Sequence, residues 1–300
     1  MRAARRRRAQ AGCALAAFLV AAIAITGSAG AGPDRADTRS AFLAFDRVVV
    51  VVFENKDYDQ VLGNPEAPTF RSLARRYALL TNYRAVAHPS LPNYLALVSG
   101  STHGFASDCT SCQVSAPNLA DTIEAAGKTW KTYAEGLPRA GFTGAWAGRY
   151  AKKHNPFLYF TDVASRPDRL RRIVPLGTFR RDLEAGRLAD LSLVVPDLCH
   201  DMHDCSVATG DAWLGKFLRP LLRSSALGNG AVLVVFDEGT SSDGGGGHVP
   251  AVVLGPLVRP GSQNSTPLDH YGLLRTIESA WHLPLLGRSR GATLITGIWR

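Results

Sequence analysis

Three separated stretches of the chain carry residue types that can do chemistry together. Glu54-Asn55 and Asp237-Glu238 offer carboxylate and amide oxygens, and Ser90 offers a hydroxyl. An oxygen-rich set of this kind suits a hard divalent cation such as Mg, Ca or Mn better than a soft-ligand metal. A serine held by such an ion has its pKa lowered, and the ion polarises the group under attack. Ser90 stands in His88-Pro89-Ser90-Leu91-Pro92-Asn93, directly ahead of the apolar run from Tyr94 to Val98. Serine with proline close behind marks a helix start, so Ser90 reads as a plain helix cap on one view. On the other, the free N–H groups and positive dipole end at that start suit a phosphoryl oxyanion.

Asp201, His203 and His248 form a second candidate group. They could ligate a second ion, or the imidazoles could donate protons to a leaving group. Gly244 to Gly247, ahead of His248, either lets the backbone approach a ligand closely or forms a floppy surface loop. Lys152, Lys153 and His154 could bind a substrate phosphate, or be a solvated face. Asp269-His270-Tyr271 reads as a helix N-cap with aromatic packing behind it.

The elements that must position these groups are legible as short apolar, β-branched runs. Val48 to Phe53, Leu191 to Val195, Ala231 to Phe236 and Ala251 to Leu254 are too short for typical helices and lack alternation. Each therefore reads as a strand buried on both faces. Helical patterns lie between them, at Ala67 to Tyr77, Asn118 to Ala126 and Ala212 to Leu222. Strands alternating with helices imply an α/β fold with a mostly parallel sheet covered on both sides. Three of the four strand runs are followed at once by acids: Glu54-Asn55, Pro196-Asp197 leading to Asp201 and His203, and Asp237-Glu238. The carboxyl edge of an open parallel sheet is where ligands bind, so the acids and the topology point to one place.

The N-terminus changes the charge reading. Arg2 and Arg5 to Arg8 precede an apolar run from Ala11 to Ile25 and the small residues Gly27-Ser28-Ala29-Gly30-Ala31. That order predicts a secretory signal peptide over residues 1–31; an uncleaved anchor would need about 20 apolar residues. Without the leader, 29 basic residues face 25 acidic ones, so the net charge falls from +9 to +4. The high pI is then partly an export signal, and no basic helix face argues for a nucleic-acid partner. The rest, residues 40–300, is expected to be a single domain, secreted or held in the periplasm or cell envelope, with no stable membrane insertion after cleavage. Its four cysteines, Cys109, Cys112, Cys199 and Cys205, are expected to pair locally as two disulfides in an oxidising compartment, rather than to bind zinc.

An ordered series of motifs strengthens these readings: VFENKDYDQVLG from Val52, HPSLPNYLALVSG from His88, YAEGLP from Tyr133 and YAKKHNPF from Tyr150. It continues with DMHD from Asp201, GDAWL from Gly210, FDEG from Phe236 and DHYGLLRTIE from Asp269. The chain thereby resembles the phosphoesterase family of secreted bacterial acid phosphatases and phospholipases C, within the alkaline-phosphatase-like superfamily. The resemblance implies a three-layer α/β/α sandwich and a divalent metal ion held by Glu54, Asn55, Ser90, Asp237 and Glu238, with Asp201 joining them. It makes Ser90 the nucleophile and matches Asp201, His203 and His248, the histidines being further catalytic candidates; Lys153, His154 and His88 are expected toward the substrate from residue type alone. The phospholipase C members usually read DEHGG where this chain reads Asp237-Glu238-Gly239-Thr240, and many are longer. Both departures favour the small acid phosphatase branch, which includes enzymes acting on phosphoinositide monophosphates. The expected substrate is thus a phosphate monoester, lipid-linked or free, with phospholipase C-type diester cleavage as the alternative.

Overall fold

The computed structural model describes residues 45–300. The expected leader over residues 1–31 and the expected domain start at residue 40 lie outside the described residues. The four apolar runs form strands with the expected bounds: β1 (Val48–Phe53), β5 (Leu191–Val195), β6 (Ala231–Phe236) and β7 (Ala251–Leu254). Four more strands complete the sheet: β2 (Ala78–Leu80), β3 (Trp130–Ala134), β4 (Ile173–Pro175) and β8 (Gln263–Asn264). Their order across the sheet is β8-β2-β7-β6-β1-β5-β3-β4. From β6 to β4 all neighbours run parallel, while β7 runs antiparallel to both β6 and β2.

Short β2, β4 and β8 carry too few residues for a pattern. In β3 the lysine at position 131 interrupts the apolar run; its ammonium lies 2.5 Å from Asp182.

Alternation along β1 sorts the helices into two layers. Val50 faces Leu97 and Val98 of the Ser90–Ser99 helix, with Leu119, Leu273 and Ile277 from two further helices lining the same gap. Phe53 points to the opposite face, where its ring meets Phe70, Trp213 and Phe236 at 5.2, 5.9 and 5.4 Å. Those rings come from the Pro68–Arg76 helix, the Val207–Leu221 helix and β6. The result is an α/β/α sandwich.

The Pro68–Arg76 helix has no side-chain cap of its own; Asp211 supplies one from across the layer, accepting from Thr69 N and Phe70 N at 3.0 and 2.8 Å. This gives the GDAWL motif a structural use. The Val207–Leu221 helix begins five residues before the expected Ala212, because Ser206 caps it by accepting from Thr209 N. Both expected disulfides, Cys109–Cys112 and Cys199–Cys205, are present.

The His270–Ala280 helix starts at the expected cap, with Asp269 accepting from Gly272 N at 2.9 Å. Near its other end, buried Glu278 accepts from Leu286 N and from Ser289 Oγ, fastening the chain's C-terminal loop. Burial pushes the Glu278 carboxyl up to about 7 from 4.5, with the hydrogen bonds and Arg275 and Arg290 pulling against it. The folded state therefore binds this proton more tightly than the unfolded chain. Its contribution is complete below pH 4.5 and is lost as pH rises through 7. Thermal melts should show stability falling from pH 5 to 8 by up to about 3 kcal/mol through this group, and Glu278→Gln should flatten that slope. An unchanged slope in the variant would assign the pH dependence elsewhere.

Candidate active site

The register of β1 with β6 pairs Phe53 with Phe236, so the next residues, Glu54 and Asp237, leave the sheet side by side at its carboxyl edge. The backbone continues that pairing, with Asp237 N donating to Phe53 O at 2.9 Å. On the other side of β1, Glu54 N donates to Asp201 O at 2.9 Å, which brings in the loop after β5. Asn55 takes a left-handed φ of 54°, a conformation asparagine tolerates better than most residues. Its N–H points at Asp237 Oδ1, 3.4 Å away.

Ser90 opens its helix, yet its side chain does not cap it. Instead the hydroxyl donates to Glu54 Oε1, with Glu238 Oε1 3.2 Å away and Lys153 Nζ at 3.2 Å. The loop before it is braced by buried Asn93, whose Oδ1 accepts from Val86 N and Ala87 N, both at 3.0 Å, while Nδ2 donates to Ala87 O. Lys153 is held in turn by Asp108 Oδ2 at 3.1 Å, and Asp108 Oδ1 accepts from Leu91 N. Asp108 thus ties the start of the serine helix to the lysine beside the serine. Its place next to Cys109 was the only sequence cue to it.

Two trios of possible ligands share Glu54: Glu54 with Asp237 and Glu238, and Glu54 with His154 and Asp201. Within them Glu54 Oε2, His154 Nε2, Asp201 Oδ2 and Asp237 Oδ2 are buried without a hydrogen-bond partner. His154 Nε2 does touch Glu54 Oε2, and Nδ1 lies 3.4 Å from Asp201 Oδ2, but neither contact has hydrogen-bond geometry.

The charges are equally unbalanced. Burial and then the neighbouring carboxylates drive Asp237 well above the usual carboxylate range, and burial raises Asp201 and Glu238. Glu54 alone goes down, because His154 and Lys153 outweigh its burial. His154 is lifted to about 9: burial would lower it, but Glu54 and Asp201 prevail. Carboxylates buried this closely must take up protons or share cations. Four partnerless ligand atoms and a surplus of buried negative charge fit a divalent cation; an imidazole in one trio widens the choice of metal toward zinc or iron.

The other expected residues fall around this cluster. His88 Nδ1 meets Glu238 Oε2 and its Nε2 meets Ser241 O, so both nitrogens are engaged. His203 is exposed, its ring centre 6.4 Å from that of His154, and its Nδ1 bonds Asp204. His248 is turned away: Nε2 lies 3.0 Å from Thr81 O and the ring stacks on Tyr58 at 4.5 Å. His154, expected on the substrate side, is buried inside a ligand trio and stacked on Tyr94 at 5.1 Å. Buried His270 was read from sequence only as part of a helix start. Burial lowers it to about 4, so it is neutral, with Nε2 donating to Asp237 O at 2.6 Å and Nδ1 accepting from Tyr83.

A model of the Phosphoesterase family matches residues 64–284. The chain belongs to that family. It is 38% identical over 290 residues to a phosphatidylinositol-3-phosphatase of Mycobacterium tuberculosis, covering 95% of this chain and 94% of that one. It is 34% identical to a probable acid phosphatase of Kluyveromyces lactis and 33% to an acid phosphatase of Aspergillus fumigatus. Those alignments cover 83% and 82% of this chain but only 61% and 57% of the fungal proteins. In fold it resembles an alkaline phosphatase superfamily protein of Vibrio parahaemolyticus, with a TM-score of 0.59 at 16% identity over 83% of this chain and 70% of that one. It also resembles murine ectonucleotide pyrophosphatase/phosphodiesterase 5, with a TM-score of 0.53 at 12% identity over 80% and 96% of the two chains.

A divalent cation should raise the melting temperature of chelator-treated protein by about 5–10 °C at roughly a hundred times its Kd. Asp237→Asn should cancel that rise while leaving the cation-free protein as stable or more so, because a neutral amide replaces a carboxyl that burial and its neighbours already disfavour as an anion. A cation-independent melt of the wild type would sink the metal assignment.

Proposed function

We propose that this phosphoesterase is a phosphoric monoester hydrolase that uses Ser90 as its nucleophile. The observation that carries the reading is the position of the Ser90 hydroxyl, hydrogen-bonded to Glu54 and flanked by Glu238 and Lys153 at the start of a helix. The names of the bacterial and fungal relatives, phosphatases of lipid-linked or unspecified monoesters, support the same substrate class.

Glu54, Asp237 and Glu238 would hold one divalent cation, and Glu54, His154 and Asp201 form the alternative or second trio, with Asn55 at the rim. When bound, the ion supplies Lewis acidity to the serine and to the phosphoryl oxygens. The remaining work falls to the chain. Ser90 Oγ attacks phosphorus in line, giving up its proton toward the Glu54 oxygen it already faces; the Oγ–P bond forms as the P–O bond to the alcohol breaks. Lys153, 3.2 Å from Oγ, neutralises charge on the transferred group, as does the N-terminus of the serine helix. The departing alkoxide takes a proton, for which exposed His203 at the mouth of the site is the better-placed imidazole. His248, bonded to Thr81 and stacked on Tyr58, is not. Water then attacks the phosphoserine, releasing phosphate and restoring the hydroxyl. His88, occupied by Glu238 and Ser241, is a positioning residue for Glu238.

An exported location after removal of residues 1–31 belongs to the same reading, supported by the two disulfides. Diester cleavage remains the alternative outcome to be scored on substrates.

Ser90→Ala should lower turnover of a chromogenic phosphate monoester by at least about a thousandfold. Acid-quenched wild-type turnovers should contain phosphorylated Ser90. Undiminished activity in the variant would refute the nucleophile, and preferential turnover of a diester would replace the monoester reading.

A further inference from the structure

Among the described residues, Trp146 is the exposed large hydrophobic side chain, 55% accessible. It stands on a small hairpin in which Trp146–Ala147 pairs antiparallel with Tyr150–Ala151 around a Gly148-Arg149 turn. The underside of the hairpin is packed: Tyr150 is buried and its ring meets Phe142 edge-on at 5.9 Å. Trp146 lies opposite Ala151 and contributes nothing comparable. A single exposed aromatic is ordinary on a protein surface. Its surroundings are what single it out.

The first is charge. From Gly136 to Thr161 the chain contains no acidic residue, while Arg139, Arg149, Lys152 and Lys153 fall within it. Lys152 and Lys153 turn inward, to Thr110 O and to Ser90 with Asp108. Arg139 and Arg149 remain exposed on either side of Trp146 in sequence, Arg139 lying over the Phe142 ring. The second is place. Ala145 O accepts from Lys152 N at 2.9 Å, and Arg149 O accepts from Leu198 N at 3.1 Å in the loop that carries Asp201 and His203. The hairpin is therefore bolted to the rim of the candidate active site, one residue ahead of Lys152-Lys153-His154.

We propose that the Trp146–Ala151 hairpin docks the protein reversibly on an anionic lipid surface, presenting the site to headgroup phosphates. Tryptophan settles at the boundary between headgroups and acyl chains, where its ring is buried and its N–H stays wet. The exposed arginines of the same stretch gain from the negative surface potential. One aromatic and two cations are too small a patch for a stable protein partner, which needs about 800 Å² on each side. At about 1 kcal/mol for each cation near an anionic surface, the same combination fits a weak, reversible surface contact. The headgroup part of the proposal rests on the phosphoesterase reading; the docking itself does not.

The test is co-sedimentation of purified protein with phosphatidylcholine vesicles, with and without about 30% phosphatidylserine, a content that gives a strongly negative surface. Turnover of a soluble chromogenic monoester is followed in parallel. Wild type should bind the anionic vesicles and release from them as salt is raised. Trp146→Ala should bind about tenfold more weakly and Arg149→Gln about fivefold, each keeping soluble-ester turnover within about twofold, since neither side chain enters the catalytic cluster. Wild type that ignores anionic vesicles, or a Trp146→Ala variant that binds like wild type, overturns the proposal. So does loss of soluble-ester turnover in Trp146→Ala, which would make the residue a substrate contact. Vesicle binding without any phosphate release would instead retire the hydrolase reading and leave the docking surface standing.

Discussion

The constraint on which the rest depends is electrostatic. Glu54, Asp201, Asp237 and Glu238 are all buried at one edge of the sheet, opposed by His154, Lys153 and Lys56, with His88 bonded to Glu238. Ionised carboxylates buried without partners cost several kcal/mol each, and a fold keeps such a cluster only where its geometry is held from outside. The sheet does that holding. The ladder between β1 and β6 carries Glu54 and Asp237 outward in step, and Glu54 N reaches across to the loop after β5. No side chain of the cluster has to find its place by its own interactions.

A shell of neutral and compensating groups stabilises that arrangement. Asn93 fastens the turn before Ser90 through backbone bonds alone, and His270, kept neutral by burial, grips the Asp237 carbonyl from the neighbouring helix of the same layer. Asp108 couples Lys153 to the first turn of the serine helix. A lysine so held stays charged beside the serine without collapsing fully onto Glu54, 3.9 Å away. The same neighbourhood extends outward to the rim, where Arg139, Trp146 and Arg149 of the acid-free stretch from Gly136 to Thr161 are exposed. Negative charge is concentrated inside the site, the distribution a bound cation requires.

Much of this was legible without coordinates. Uninterrupted β-branched runs mark strands buried on both faces, and the four central runs kept their bounds. Acids directly after such runs lie at the carboxyl edge by topology, so Glu54, Asp237 and Glu238 could be grouped although nearly two hundred residues separate them. Short strands escaped notice because three residues carry no period, and β3 because Lys131 breaks its run while finding Asp182 in space. Local pattern also places the start of the Val207–Leu221 helix too late, since its cap is Ser206, directly after the disulfide-closed Cys199–Cys205 segment.

The sequence by itself determined which residues sit at the end of which strand, the layered α/β/α class and the family motifs, because these follow from local periodicity and chain order. Only the tertiary structure decided which side chains meet. Ser90 serves no cap and turns to Glu54; His154 leaves the lysine pair beside it and enters the carboxylate cluster; His248 turns back to Thr81 and Tyr58. Direction is set by packing between layers that are distant in sequence, and spacing along one chain holds no record of it.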